Sequence, residues 1–165
     1  MGSGFFSPCP CEHPQKNSIF IFRIHCKNSL LVKASQSSLY REIENLMLWF
    51  IPVGNNIPKD FALRQLGDRM LNEMTDALTA CNLALQTSEL RQRLELINLI
   101  KLHMTTVQSI TKVFVEFSSR EGNVRRVISQ SQRASLLKMM ASIGGQMARW
   151  AKSTESALKQ GLPID

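Results

Sequence analysis

IPKDFALRQLGDRML, residues 57–71, is the stretch on which the fold turns. Its apolar residues Leu63, Leu66 and Met70 recur at intervals of three and four, which lines them up on one face of an α-helix. Pro58 suits a first helical turn, where its missing N–H costs nothing. Asp60, Arg64 and Asp68 stand four apart, so two i,i+4 pairs brace those turns by roughly 0.3 kcal/mol each. Gly67 is the misfit: in a helix it costs about 1 kcal/mol against alanine, which close approach of a neighbouring helix explains. The stretch reads as the start of a packed helix rather than as a reactive site.

The same periodicity continues on both sides. Upstream, SSLYREIENLMLWFI (37–51) opens with a serine cap and sets Leu39, Ile43, Leu46, Met47 and Phe50 on one face. This first helix is expected to end before PVGNNIP (52–58), a loop marked by proline, glycine and two asparagines. The second helix runs from about Pro58 to Leu85, with Leu63, Leu66, Met70, Met74, Ala77 and Cys81 inward. Thr87 or Ser88 can cap a third helix over about Glu89–Ser118. That helix is apolar around much of its circumference; only Asn98, Lys101, Thr105, Gln108, Ser109, Lys112 and Glu116 form a steadily polar arc. Such a helix is central or shared with another subunit. After the loop SSREGNVRR (118–126), a fourth helix extends from Ser129 to about Lys159, with Leu136, Leu137, Met140, Ile143, Met147, Trp150 and Leu158 on its core face. Gly161 and Pro163 end it. Four helices with short connections predict an all-α, antiparallel up-down-up-down bundle over residues 37–160, with a tail at 161–165.

Residues 1–36 differ from the rest. They are rich in Pro, Ser and Gly, and their one β-prone run, IFIFRIHC (19–26), has no strand partner elsewhere. They are expected to form a poorly ordered leader or a segment not native to the protein. Cys9, Cys11, His13, His25 and Cys26 lie there without the two clean pairs that a zinc site uses, so no metal or other cofactor is expected. No export signal or membrane-length apolar run is evident, which points to a reducing, cytoplasmic setting without disulfides.

Charge is uneven along the 165 residues. The net charge of +7 divides into +3 over residues 1–36, −2 over 37–87 and +6 over 88–165. Basic charge gathered in one half suits a polyanion, nucleic acid rather than membrane, although a solvated basic surface also serves solubility. On a helical wheel Lys138, Arg149, Lys152 and Lys159 fall roughly 80° to 160° from Arg133, opposite the core face, in a stripe free of acids. Between them stand small residues such as Ala141, Ser142, Gly145, Ala148 and Ser156, over which a phosphate backbone or a partner helix can approach closely. Arg120, Arg125 and Arg126 extend the basic surface past the start of the helix. No aromatic side chains interleave with the stripe, so binding would be directed at the backbone, with little sequence preference.

Enzyme chemistry finds little footing. His103 is the only histidine of the helical region, on the apolar side of the third helix, where a packed core residue is the ordinary reading. The arginine that precedes the histidine of helical HEPN-type ribonucleases is missing. SIGGQ (142–146) falls mid-helix with no strand before it, unlike a phosphate-binding glycine loop.

Two segments resemble a known family. IPKDFALRQLGDRML is similar to the opening of the second helix in the four-helix bundles that include the accessory variability determinant (Avd) family of diversity-generating retroelements. ISQSQRASLLKMMASIGGQMARWAKS (128–153) resembles that family's fourth helix, with Ile143, Gly144, Trp150, Lys152 and Ser153 matching residue for residue. The resemblance implies a non-enzymatic, cytoplasmic homopentamer that binds RNA or DNA without strict sequence choice and assists the retroelement's reverse transcriptase in mutagenic cDNA synthesis. It places Gln108 and Lys112 where the family carries two basic-surface arginines, so one base is lost and one kept. Ser142 and Gly145 replace a glutamate and an arginine of the family pattern. Related bundles are encoded in intervening sequences of ribosomal RNA genes, and an orphan protein-interaction bundle is the alternative.

Overall fold

The computed structural model describes residues 37–120 and 127–161, and of Arg120 only the backbone. Within them the chain forms four helices: α1 (Ser38–Gly54), α2 (Phe61–Gln86), α3 (Leu90–Arg120) and α4 (Gln130–Gln160). The leader and its cysteines and histidines lie outside the described residues.

Local chemistry sets the helix ends. Ser37 has extended backbone and its hydroxyl accepts from the Tyr40 N–H at 3.4 Å, capping α1. α1 runs past its expected end and takes in Pro52. A proline in the last turn forfeits one backbone hydrogen bond, while Val53, 1% exposed, gains burial by staying helical. α2 starts at Phe61, later than Pro58 suggests, because Asp60 is its cap: the carboxylate accepts from the Leu63 N–H at 3.1 Å. Asp60 thus serves the helix terminus rather than a pair with Arg64.

Gly67 also has a different reason from the one expected. A β-carbon there would lie 2.7 Å from Cδ1 of Ile57. The close neighbour is a side chain of the α1–α2 loop, not a backbone of another helix. At the α2–α3 turn, Thr87 Oγ1 accepts from the Glu89 N–H at 3.3 Å, and Arg93 Nη2 donates to the Thr87 carbonyl at 2.8 Å. α4 begins with a reciprocal capping box between Ser129 and Gln132. It ends at Gly161, whose φ of 63° is the left-handed conformation that glycine adopts without cost.

The helices close a square: each packs on its chain neighbours, and α4 packs back on α1. This is the up-down-up-down arrangement, an all-α four-helix fold. On α3 the inward seam is Ile97, Ile100, Met104, Val107, Thr111 and Phe114, all buried. The spacing alternates three and four, as in coiled-coil packing. On α4 it is Leu136, Met140, Ile143, Met147, Trp150 and Thr154. Leu137 and Leu158, expected inward, are 60% and 37% exposed. The cause for Leu137 is register: it lies one residue beyond the seam occupied by Leu136, about 100° around the helix. Across the diagonal of the square, Phe50 of α1 and Phe114 of α3 stack with centroids 6.4 Å apart.

Candidate nucleic-acid interface

The cationic residues proposed from the sequence separate into three groups. Lys138, Arg149, Lys152 and Lys159 are all exposed on the outer face of α4. Among the described residues none of the four pairs with a carboxylate. With 1.5 Å of rise per residue, Lys138 and Lys159 stand about 32 Å apart along the helix. Arg149 also borders a recess with Ser37, Ser38 and Ser153, at the start of α1.

Lys112 and Arg133 are exposed too, but they lie elsewhere. Both line a cleft of about 220 Å³ between α3 and α4, together with Glu116. The helix wheel put Arg133 at the margin of the stripe, and the cleft sets it apart from the outer four. Arg125, Arg126 and the side chain of Arg120 lie outside the described residues.

Of the small residues beside the stripe, Ala141, Gly145, Ala148 and Ser156 are exposed and Ser142 is half-buried. A β-carbon at Gly144 or at Gly145 would meet nothing within 4 Å. Neither glycine is required by the fold, and each costs helix propensity. Gly145→Ala is therefore expected to raise stability by about 0.5–1 kcal/mol, read as a higher midpoint in urea denaturation.

A longer groove adjoins the stripe. It has a volume of about 570 Å³ and runs between α3 and α4, with Lys101 and Gln108 on one wall and Leu137, Ala141 and Ala148 on the other. Glu155 lines its end. The acid-free character of the stripe stops at this edge. Lys101 belongs to the polar arc of the third helix, and the alternating three-and-four spacing of the residues that line the groove is its signal in the sequence.

His103 is not enclosed in the apolar core: its Nδ1 lies 2.7 Å from Oε2 of Glu73, joining α3 to α2, with both side chains about 15% exposed. Arg69 Nε approaches the other oxygen of Glu73 at 3.3 Å. Burial pushes the Cys81 thiol up to about 12, outweighing a hydrogen bond with Ser37, so it stays protonated and is a poor nucleophile at neutral pH. Among the described residues no group of three or more His, Cys, Asp or Glu could hold a metal ion. None of the described helices is long and apolar enough to cross a membrane.

Comparison of the chain with protein-family models, with curated proteins and with solved structures finds no match.

Proposed function

We propose that this protein is a non-enzymatic, cytoplasmic nucleic-acid-binding bundle that holds the phosphate backbone along the outer face of α4. The observation that carries this reading is the stripe of four exposed cations, Lys138, Arg149, Lys152 and Lys159, none of which pairs with a carboxylate among the described residues. Their span of about 32 Å approaches one turn of duplex, about 34 Å. A helix face with cations alone suits a backbone track, while the lack of interleaved aromatics argues against base stacking. Lys112 and Arg133 add a second cationic edge, and Arg120, Arg125 and Arg126 belong to the same reading by sequence.

Within this proposal, the resemblance to the Avd family supplies the biological setting: an accessory protein of a diversity-generating retroelement that assists its reverse transcriptase. A reverse-transcriptase gene and a nearly repeated template segment beside the coding sequence are the expected genomic context; their absence rejects that setting while leaving the basic surface to be tested by itself.

Self-association is proposed on a separate observation. Leu99, Leu102 and Val113 of α3 are 41%, 61% and 45% exposed, and they line up along one outer strip of that helix. Water-facing leucine and valine in a row suit a contact with another copy, in keeping with a homopentamer. Light scattering should then give a multiple of the chain mass of 18.7 kDa, and Leu102→Glu should shift it toward the monomer. A monomeric wild type rejects the oligomer and favours an orphan interaction module.

A further inference from the structure

The α3–α4 groove has the geometry of a seat for one more helix. Each of the two helices carries a second seam, one residue on from the one it buries in the bundle. On α3 it is Asn98, Lys101, Thr105, Gln108, Lys112 and Val115; on α4 it is Leu137, Ala141, Gly144, Ala148, Ala151 and Glu155. Both keep the alternating three-and-four spacing through which helices interlock side chains. The first seams are filled by the core; of the second pair, Val115 packs partly against the core and the other residues line open space.

The two walls differ in chemistry, and this defines the occupant. The α4 wall is small and apolar, with Leu137 60% exposed and no contact for a β-carbon at Gly144. Large apolar side chains of an incoming helix can enter there. The α3 wall is polar and carries Lys101 and Lys112, eleven residues or about 16 Å apart, roughly three turns. Arg133 sits at one end, and Lys152 and Lys159 flank the apolar wall from outside. Glu155 and Glu116 are the opposing acids, leaving the rim positive.

We infer that the groove docks an amphipathic α-helix of a partner protein, with an apolar ridge set against Leu137, Ala141, Gly144 and Ala148 and with acids flanking that ridge. From Leu137 to Glu155 the wall is about 27 Å long, which a helix of about 18–21 residues covers. A phosphate backbone could reach the lysines but would leave the apolar wall without a role. A second copy is also a poorer match: α1, which exposes Leu48 and Ile51, sets both Arg41 and Glu44 on the exposed side of the same helix. The inference does not depend on nucleic-acid binding, since it uses the groove rather than the outer stripe.

The test uses the full chain and a fluorescein-labelled peptide of three heptads, with leucine at a and d and glutamate at e and g, against the same peptide with lysine for each glutamate. Anisotropy is expected to show binding of the acidic peptide alone, with a Kd of about 10 μM or tighter. Gly144→Leu with Ala148→Leu fills the apolar wall and should weaken binding at least about tenfold without lowering the thermal midpoint, because space is open there. Lys101→Glu with Lys112→Glu should weaken the acidic peptide and admit the lysine peptide. The inference is overturned if the acidic peptide fails to bind the wild-type chain, if both peptides bind alike, or if the filled groove binds as before. It is equally overturned if filling the groove abolishes duplex binding or disperses an oligomer, since nucleic acid or a second copy would then be the occupant.

Discussion

Phe114→Ala should lower the stability of the bundle by about 3–5 kcal/mol. Its side chain is 0% exposed and stacks on Phe50, 1% exposed, at 6.4 Å. The two rings join α1 to α3 across the diagonal of the square, so truncation opens a void bordered by helices that are held on their other sides. Neighbouring side chains can fill only part of it. Against a typical total of about 5–15 kcal/mol, the loss brings the variant close to the folding threshold. Urea denaturation should show a much lower midpoint with an unchanged slope. Leu83→Ala, at a 48% exposed position of α2 outside every proposed contact, is the control and should change stability by less than about 1 kcal/mol. Equal losses at the two sites would contradict the placement of the core.

Replacing Lys138, Arg149, Lys152 and Lys159 together by alanine should leave the fold intact and remove most nucleic-acid affinity. All four are exposed, and none pairs with a carboxylate among the described residues, so each substitution falls in the class that shifts stability by less than about 0.5 kcal/mol. Alanine also has the highest helix propensity, which favours α4. Each cation that meets a phosphate adds about 0.9 to the slope of log K against log salt. Losing four contacts therefore flattens that slope by roughly 3–4 and lowers affinity most at low salt. In a mobility-shift experiment at about 50 mM salt the expected loss is roughly a hundredfold or more. Retained affinity in a folded variant would move the binding surface elsewhere.

The parts of this fold that were legible in the sequence are those governed by periodicity. Ile43, Leu46, Met70, Met74 and Ile143 recur at helical spacing and are all buried. The ends of the helices were less legible, because they depend on competition between local partners. Pro58 looked like a first-turn residue, yet the carboxylate of Asp60, able to reach the Leu63 N–H, starts α2. Gly67 announced a close contact without naming it, since only folding brings Ile57 back over α2.

The candidate surface shows the same division. Exposure of Lys138, Arg149, Lys152 and Lys159 followed from a single helix wheel, because one helix carries them all. The grouping of Lys112 with Arg133, and the groove beside them, needed the register of α3 against α4. No property of either helix alone contains that register. His103 illustrates the point with a single contact: its wheel position predicted an apolar setting, but Glu73, thirty residues earlier in the chain, supplies its polar partner at 2.7 Å.

The most direct measurement is the equilibrium affinity of the full chain for a random-sequence duplex of about 20 base pairs, taken from 50 to 200 mM salt. The stripe predicts binding at the low end and a slope of log K against log salt of about −3 to −4 or steeper, flattened by that amount in the fourfold alanine variant. No binding at 50 mM salt, or a slope that the variant leaves unchanged, would contradict the assignment of α4 as the nucleic-acid surface.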